Sequence, residues 1–388
     1  MLTLLRNADV YAPEPLGRCD LLIAGCRIAR IAASLPSLPT ALGAVEIDLG
    51  GLRLIPGLID AHVHVTGGGG ESGPASRVPP LQLSALTAAG ITTVVGLLGT
   101  DGTTRTMHDL VARTLALREE GLTAHCWTGS YEVPVKTLTG SVRSDLVFVD
   151  PIIGVGELAI SDHRSSQPTF DELLRVAADC HVGGLMSGKA GVLHLHLGDG
   201  ARGLSLVRRA LDESEVPARV FHPTHVNRNR RLFAEALELP ARGCTIDITA
   251  FPDDDGAGYT APQAVVRAFA AGVPRDKISC SSDGAGCLPN FDKEGRLISM
   301  DVGQPSSLLG ALRELVAGGI SLSEALPPFT SNPARLLRFA RKGRIAEGAD
   351  ADLVALDPQG NVHDLLAAGR FLVRRGAAIA TSTFEKRS

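Results

Sequence analysis

Two histidines stand two residues apart in residues 59–73, IDAHVHVTGGGGESG, and four consecutive glycines and Glu71 follow them. Alternate side chains of an extended strand share one face, so His62 and His64 would project together and offer two imidazoles to one metal ion. The same residue types recur along the chain: Glu157 in GVGELAIS, His194 and His196 in LHLHLGD, His222 and His225 in FHPTHV, and Asp283 in SSDG. Histidines on three such runs, with two carboxylates, are the donor set of a two-metal hydrolytic site, where paired dications activate a water. Spacing alone does not choose between His194 and His196, or between His222 and His225.

These side chains converge only if the runs that carry them end on one side of one sheet. From residue 54 onward short β-branched runs alternate with helical segments. The eight strand candidates are LIPGLIDAHVH, ITTVVGLLG, LTAHCWTG, PIIGVGELAIS, GVLHLHLGD, ARVFHPTHV, GCTIDITA and KISCSSDG. Thr169 and Glu172 form a capping box ahead of LLRVAADC, and Gly90, Gly121 and Gly272 sit where helix C-caps belong. Only residues 130–150 show no clear long helix. Eight alternations predict an α/β fold, a (β/α)8 TIM barrel with its site at the carboxyl ends of the strands. The rival, an open doubly wound sheet, lacks a GxGxxG after its first strand. Residues 1–53 and 342–388 carry short β-like runs instead, which predicts a small β-sandwich-like domain built from both ends of the chain around a barrel at 54–341.

A chain of 388 residues has room for a large α/β domain and a smaller companion. Its net charge of −4, with no block of Lys and Arg, offers no basic surface to nucleic acid or to an anionic membrane. Seven cysteines without CxxC spacing argue against a disulfide framework or a thiolate zinc site and point to a reducing cytoplasm. Arg6 and Asp9 interrupt the first residues before a signal-peptide core can form. The uncharged run 78–100 is long enough to cross a bilayer, but Pro79, Pro80 and Gly90 divide it, and it reads as a helix followed by a strand.

The runs PGLIDAHVH, SSDG and GRIAEGADADLVALD together resemble the amidohydrolase superfamily of metal-dependent hydrolases. More narrowly, HVHVTGGGGESGP, VVGLLGTDG, TGSYEVP, TGSV, AISDHRS, PTHVNRN, TIDIT and SSDGAG resemble the isoaspartyl dipeptidases, and the likeness runs almost the whole chain. The resemblance implies a barrel with a small β domain, a binuclear zinc centre and cleavage of the β-aspartyl isopeptide bond of dipeptides. It also implies a homo-oligomer, an octamer in the family pattern. By the same resemblance His62, His64 and Asp283 bind one metal, and His196 and His225 the other. A water bridging two Zn2+ ions becomes the nucleophile, Asp283 serves as base and then acid, and Tyr131 in TGSY hydrogen-bonds the developing oxyanion. The glycines let the backbone run close to substrate and deliver Glu71 to pair with its α-ammonium. Arg164 in SDHRS and Arg228 in HVNRN suit the substrate carboxylates, with Thr100 and the backbone near Cys287 as further candidates.

Two positions depart from the family pattern. Many members bridge their metals with a carboxylated lysine on strand four, where this chain has Glu157 and no lysine between Lys136 and Lys189. Cys287 stands where the pattern favours a serine, and a thiol is the weaker donor. The expectation is a cytoplasmic dipeptidase with two Zn2+ per chain, bridged by Glu157 and hydroxide. A hydrolase for another amide, whether an N-acyl-D-amino acid or a cyclic amide, and a non-catalytic scaffold on the same fold are the alternatives.

Overall fold

A computed structural model of the chain describes residues 1–251, 257–291 and 296–386. Six parallel strands form one sheet whose spatial order is chain order: β1 (Leu58–Val63), β2 (Ile91–Gly96), β3 (Thr123–Thr128), β4 (Ile152–Ile160), β5 (Val192–Leu197) and β6 (Phe221–Thr224). Two more, β7 (Ile246–Thr249) and β8 (Ile278–Ser281), form a separate parallel pair. A parallel bridge between Val63 and Gly284, and a hydrogen bond from the His64 N–H to the Gly284 carbonyl, bring the chain leaving β8 back beside β1. Within the eight strands every residue but Thr123 and His125 is buried, as parallel strands covered on both faces require.

The connections follow their local signals. Thr169 and Glu172 cap the helix Phe170–Ser187 as a reciprocal box, and Thr106 with Asp109 does the same for Met107–Glu120. Residues 130–150 hold only the seven-residue helix Val142–Phe148. The run 78–100 resolves into the helix Leu83–Ala88 and β2, and among the described residues no helix is long and apolar enough to cross a membrane.

Both ends of the chain enter one nine-stranded sheet. Its joint is the antiparallel pairing of Arg53–Pro56 with Leu353–Leu356, over a core that includes Leu5, Leu21, Leu54 and Leu353. The run LIPGLIDAHVH, expected as one strand, therefore divides at Gly57: the residues before it join the terminal sheet and those after it form β1. A Cβ at Gly57 would stand 2.1 Å from Thr92 Oγ1, so a larger residue cannot pass this junction without displacing β2. An antiparallel hairpin of Cys287–Phe291 with Leu297–Val302, absent from the sequence reading, follows β8.

Candidate active site

The expected metal ligands come together at the carboxyl ends of β1, β4, β5, β6 and β8. Glu157 Oε1 lies 3.5 Å from His62 Nε2 and 3.6 Å from His64 Nε2. Asp283 Oδ1 lies 3.4 and 3.1 Å from the same two nitrogens. The second oxygen of Glu157, Oε2, faces the other way, 3.0 Å from His196 Nδ1 and 3.4 Å from His225 Nε2. Donors about 2.0–2.2 Å from a tetrahedral Zn2+ stand about 3.3–3.6 Å from one another, so most of these separations are those of ligands around an ion. Among the described residues two groups of three could hold a metal: His62 with His64 and Asp283, and His62 with Glu157 and His225. His62 belongs to both, and its contact with Asp283 Oδ1 places it with the first. Buried His62 Nε2 and Asp283 Oδ1 make no hydrogen bond, a cost that bound metal would offset.

Local backbone geometry aims these groups. Leu193 and Leu195 of β5 pair with Val155 and Leu158 of β4, so Gly156 and Glu157 together oppose the single residue His194. This bulge re-aims Glu157, whose two oxygens face the four histidines named above. A Cβ at Gly156 would stand 2.7 Å from His194 Cβ, and one at Gly99 would stand 2.7 Å from His64 Cε1. His225 and Asp283 hold left-handed backbone, with φ of 60° and 53°, a region that non-glycine residues occupy only where the surroundings enforce it.

The centre is a negative field among imidazoles. Burial pushes Glu157 upward, yet His62 and His196 hold it well below the usual carboxylate range. Asp283 is likewise raised by burial and lowered further by His62 and His64. Burial takes His225 down to about 3, which leaves it neutral. At His62 burial is outweighed by Glu157 and Asp283, which draw a proton to it, and a dication competes for that same lone pair.

The remaining expected residues line one cavity with His64, Glu157, His196 and Asp283. Glu71 Oε1 accepts the Thr100 hydroxyl at 3.0 Å and lies 3.5 Å from Arg164 Nη1, while its buried Oε2 has no partner. The Thr100 hydroxyl is thus engaged by Glu71. Burial, and next Glu71, raise the Cys287 thiol to about 12, so it remains a neutral S–H. Tyr131 Oη stands 2.8 Å from His196 Nδ1, and burial keeps its O–H protonated. Arg228 reaches the same cavity with Nη1 3.9 Å from Asp162 Oδ2. The glycine run is tighter than a pliable substrate loop: a Cβ at Gly67 would stand 1.9 Å from the Val78 carbonyl, and one at Gly69 2.4 Å from that of Ser76. Gly67 and Gly69 pack against residues 76–79 and Gly68 against residues 285–287, and the loop so folded carries Glu71 to the cavity.

The amidohydrolase family pattern matches residues 53–379. The structure of the beta-aspartyl dipeptidase of the thermophilic, keratin-degrading Fervidobacterium islandicum AW-1 in complex with beta-Asp-Leu dipeptide is similar over 99% of this chain and 100% of that one. Identity is 41% and the TM-score 0.93. Another structure of that enzyme, with the same coverage, gives 40% and 0.90. A dihydroorotase of Streptococcus pneumoniae serotype 4 is 25% identical over 400 residues, 92% of this chain and 90% of its own length. The chain belongs to the amidohydrolase family.

This amidohydrolase, a hydrolytic enzyme, also holds residues at its site that spacing did not single out. Asp162 Oδ2 lies 2.9 Å from His196 Nε2 and accepts Arg164 Nη2 at 2.8 Å, so one carboxylate ties His196 to a cavity arginine. Its only signal in the sequence is the acid of SDHRS. Arg105 supports the glycine loop by donating to the carbonyls of Thr66, Gly69 and Val78. His194 and His222, the histidines not chosen as ligands, lie deeper in β5 and β6, with His194 Nε2 2.8 Å from His62 Nδ1.

Proposed function

We propose that this amidohydrolase cleaves the isopeptide bond of β-aspartyl dipeptides at a binuclear zinc centre. The observation that carries the reading is the two-sided placement of Glu157, one oxygen toward His62 and His64 and the other toward His196 and His225, below a cavity whose lining includes Glu71, Arg164 and Arg228. Likeness at 41% identity to an enzyme crystallised with beta-Asp-Leu supports the substrate. His62, His64 and Asp283 would hold one Zn2+, His196 and His225 the second, and Glu157 both. Bound there, the cations supply Lewis-acid polarisation of the amide and acidify water.

The chain's own groups then divide the work. Asp283, ionised in its field of histidines, takes the proton of the attacking water and passes it to the leaving amine. The Tyr131 O–H donates to the amide oxygen as it becomes anionic. Unpaired Glu71 Oε2 takes the α-ammonium, and Arg164 and Arg228 the carboxylates, with Thr100 and Cys287 at the edge. Glu157 replaces a lysine carbamate: Lys189 Nζ is committed to the Val149 carbonyl, and the side chain of Lys136 is half exposed beside Glu132. The scaffold is read as a closed (β/α)8 barrel of β1–β8 within 54–341, whose first residues, up to Pro56, pair into the sheet of a small sandwich-like domain from 1–53 and 342–388. Its seven free cysteines suit the cytoplasm, and the family likeness suits a homo-oligomer.

Metal analysis and a paired assay test the reading. Two zinc ions per chain and turnover of β-Asp-Leu, with α-Asp-Leu left intact, are expected. An active protein free of metal, or equal rates on both isomers, would sink it. The dihydroorotase likeness favours a cyclic-amide substrate as a second reading. Such a ring carries no ammonium for Glu71, so dihydroorotate is the control substrate and should not turn over.

A further inference from the structure

Beneath the metal-facing histidines runs a chain of buried polar groups that the reaction does not use. His62 Nδ1 lies 2.8 Å from His194 Nε2, and His194 Nδ1 lies 2.9 Å from His222 Nδ1. His222 Nε2 lies 3.0 Å from Ser279 Oγ, which donates to Asp247 Oδ1 at 2.6 Å. All five residues are 0% exposed, and they link β1, β5, β6, β8 and β7 in turn. Asp247 also accepts the hydroxyls of Thr224 and Ser281, at 2.7 and 2.6 Å, on its other oxygen.

The far end sets the direction of every bond. A carboxylate only accepts, so the Ser279 O–H points at Asp247 and its oxygen is left to accept from His222 Nε2–H. A neutral imidazole has one N–H and one bare nitrogen. His222 Nδ1 must then accept from His194 Nδ1–H, and His194 Nε2 must accept from His62 Nδ1–H. His62 Nε2 is left bare, and it is the ring nitrogen of the three histidines that makes no hydrogen bond. Burial lowers His222 to about 4, in keeping with its neutral form here.

We propose that Asp247, acting through Ser279, His222 and His194, is a positioning residue that fixes His62 in the tautomer whose Nε2 can take a metal ion. The proposal rests on the reading of His62 as a ligand. Metal-binding histidines commonly have a carboxylate or carbonyl as the direct partner of the second nitrogen. Here the carboxylate stands three side chains away, so the register of four further strands is coupled to one lone pair.

Nuclear magnetic resonance of the zinc-loaded full chain with isotope-labelled histidine nitrogens reads the tautomers once the ion has displaced the proton that Glu157 and Asp283 draw to His62 Nε2. The expected pattern is Nδ1–H on His62 and His194 and Nε2–H on His222, and the opposite assignment at any of the three rings would overturn the proposal. Ser279→Ala breaks the chain without a change of charge. It should weaken zinc binding, measured by chelator competition, by about 10–100-fold, the range found when such outer partners are removed. It should also give His62 a population with Nε2–H. Ser279→Thr keeps the hydroxyl and should restore both readings. Ser281→Ala takes an equivalent hydroxyl from the same carboxylate outside the chain and should leave the His62 tautomer and the zinc affinity unchanged. Equal losses in the two alanine variants would make the effect structural and overturn the proposal. A wild type that binds no zinc would overturn it together with the metal-centre reading, whereas a zinc-binding wild type matched in affinity by Ser279→Ala would overturn it alone.

Discussion

His194 and His196 are two residues apart on one strand and face the same interior, yet they meet opposite surroundings. Both ring nitrogens of His194 lie against other imidazoles, and the chain they belong to ends on an acid that accepts three hydroxyls. His196 sits between the carboxylates of Glu157 and Asp162, in a layer where His62 Nε2, His64 Nδ1 and Asp283 Oδ1 have no hydrogen bond at all. The deeper layer is satisfied by the protein itself. The upper layer is left unmet at about 1–3 kcal/mol for each buried group, stability that the fold surrenders and that ligand binding returns. Between these two layers the imidazole nitrogens divide by whether the chain completes them, and the two left without a partner, His62 Nε2 and His64 Nδ1, lie at the site.

The sharpest way to break this contrast is to remove Glu157, the group that both proposed metal positions would share. Glu157→Ala should lose at least one zinc and lower activity by at least about a thousandfold, an effect of roughly 4 kcal/mol. Bicarbonate should neither rescue that variant nor be needed when wild type is stripped of metal and refilled with zinc. Full metal content in Glu157→Ala would move the bridge elsewhere. In the deeper layer the loss should appear as stability: Asp247→Ala strands three buried hydroxyls and should cost about 3 kcal/mol in denaturant unfolding. An unchanged midpoint would erase the distinction between the layers. Glu71→Gln should keep its zinc and lower kcat/KM on β-Asp-Leu at least about tenfold, the loss of roughly 1.4 kcal/mol of charge-assisted contact. Wild-type turnover would remove the ammonium assignment. The smallest effect is expected of Cys287→Ser, which restores a hydroxyl beside Glu71 and should lower KM by about twofold, or roughly 0.5 kcal/mol, with metal content unchanged.

What the sequence makes legible is decided by periodicity. His62 and His64 share a face because alternation is a property of any strand, and Asp283 is legible because it closes the last apolar run. The choice of His196 over His194 is not, since residues two apart face the same way and only depth along β5 separates them. Glu157 is legible as a strand-four carboxylate, but its reach depends on a bulge against His194 that no alternation rule signals. Asp162 reads as a solvated loop acid until folding sets it against His196. The division at Gly57 is hidden for a related reason: Arg53–Pro56 and Leu58–Val63 belong to different sheets but are alike in their buried, apolar character. The hairpin after β8 escapes because Leu297–Val302 is mostly exposed, so the alternation of Ile298, Met300 and Val302 with Ser299 and Asp301 marks no buried face.

The sheet shared by the two ends of the chain sets a timetable for biosynthesis. Arg53–Pro56 waits for Leu353–Leu356, about 300 residues later, and at ~5–20 residues per second their emergence from the ribosome is separated by roughly 15–60 s. For that interval the first-made strands present an open edge of unpaired N–H and C=O groups, and Leu54, fully buried at the end, lies beside it. Proteolysis of stalled nascent chains would read this directly. The segment that leads into β1 is therefore made about 300 residues before the strand that secures it.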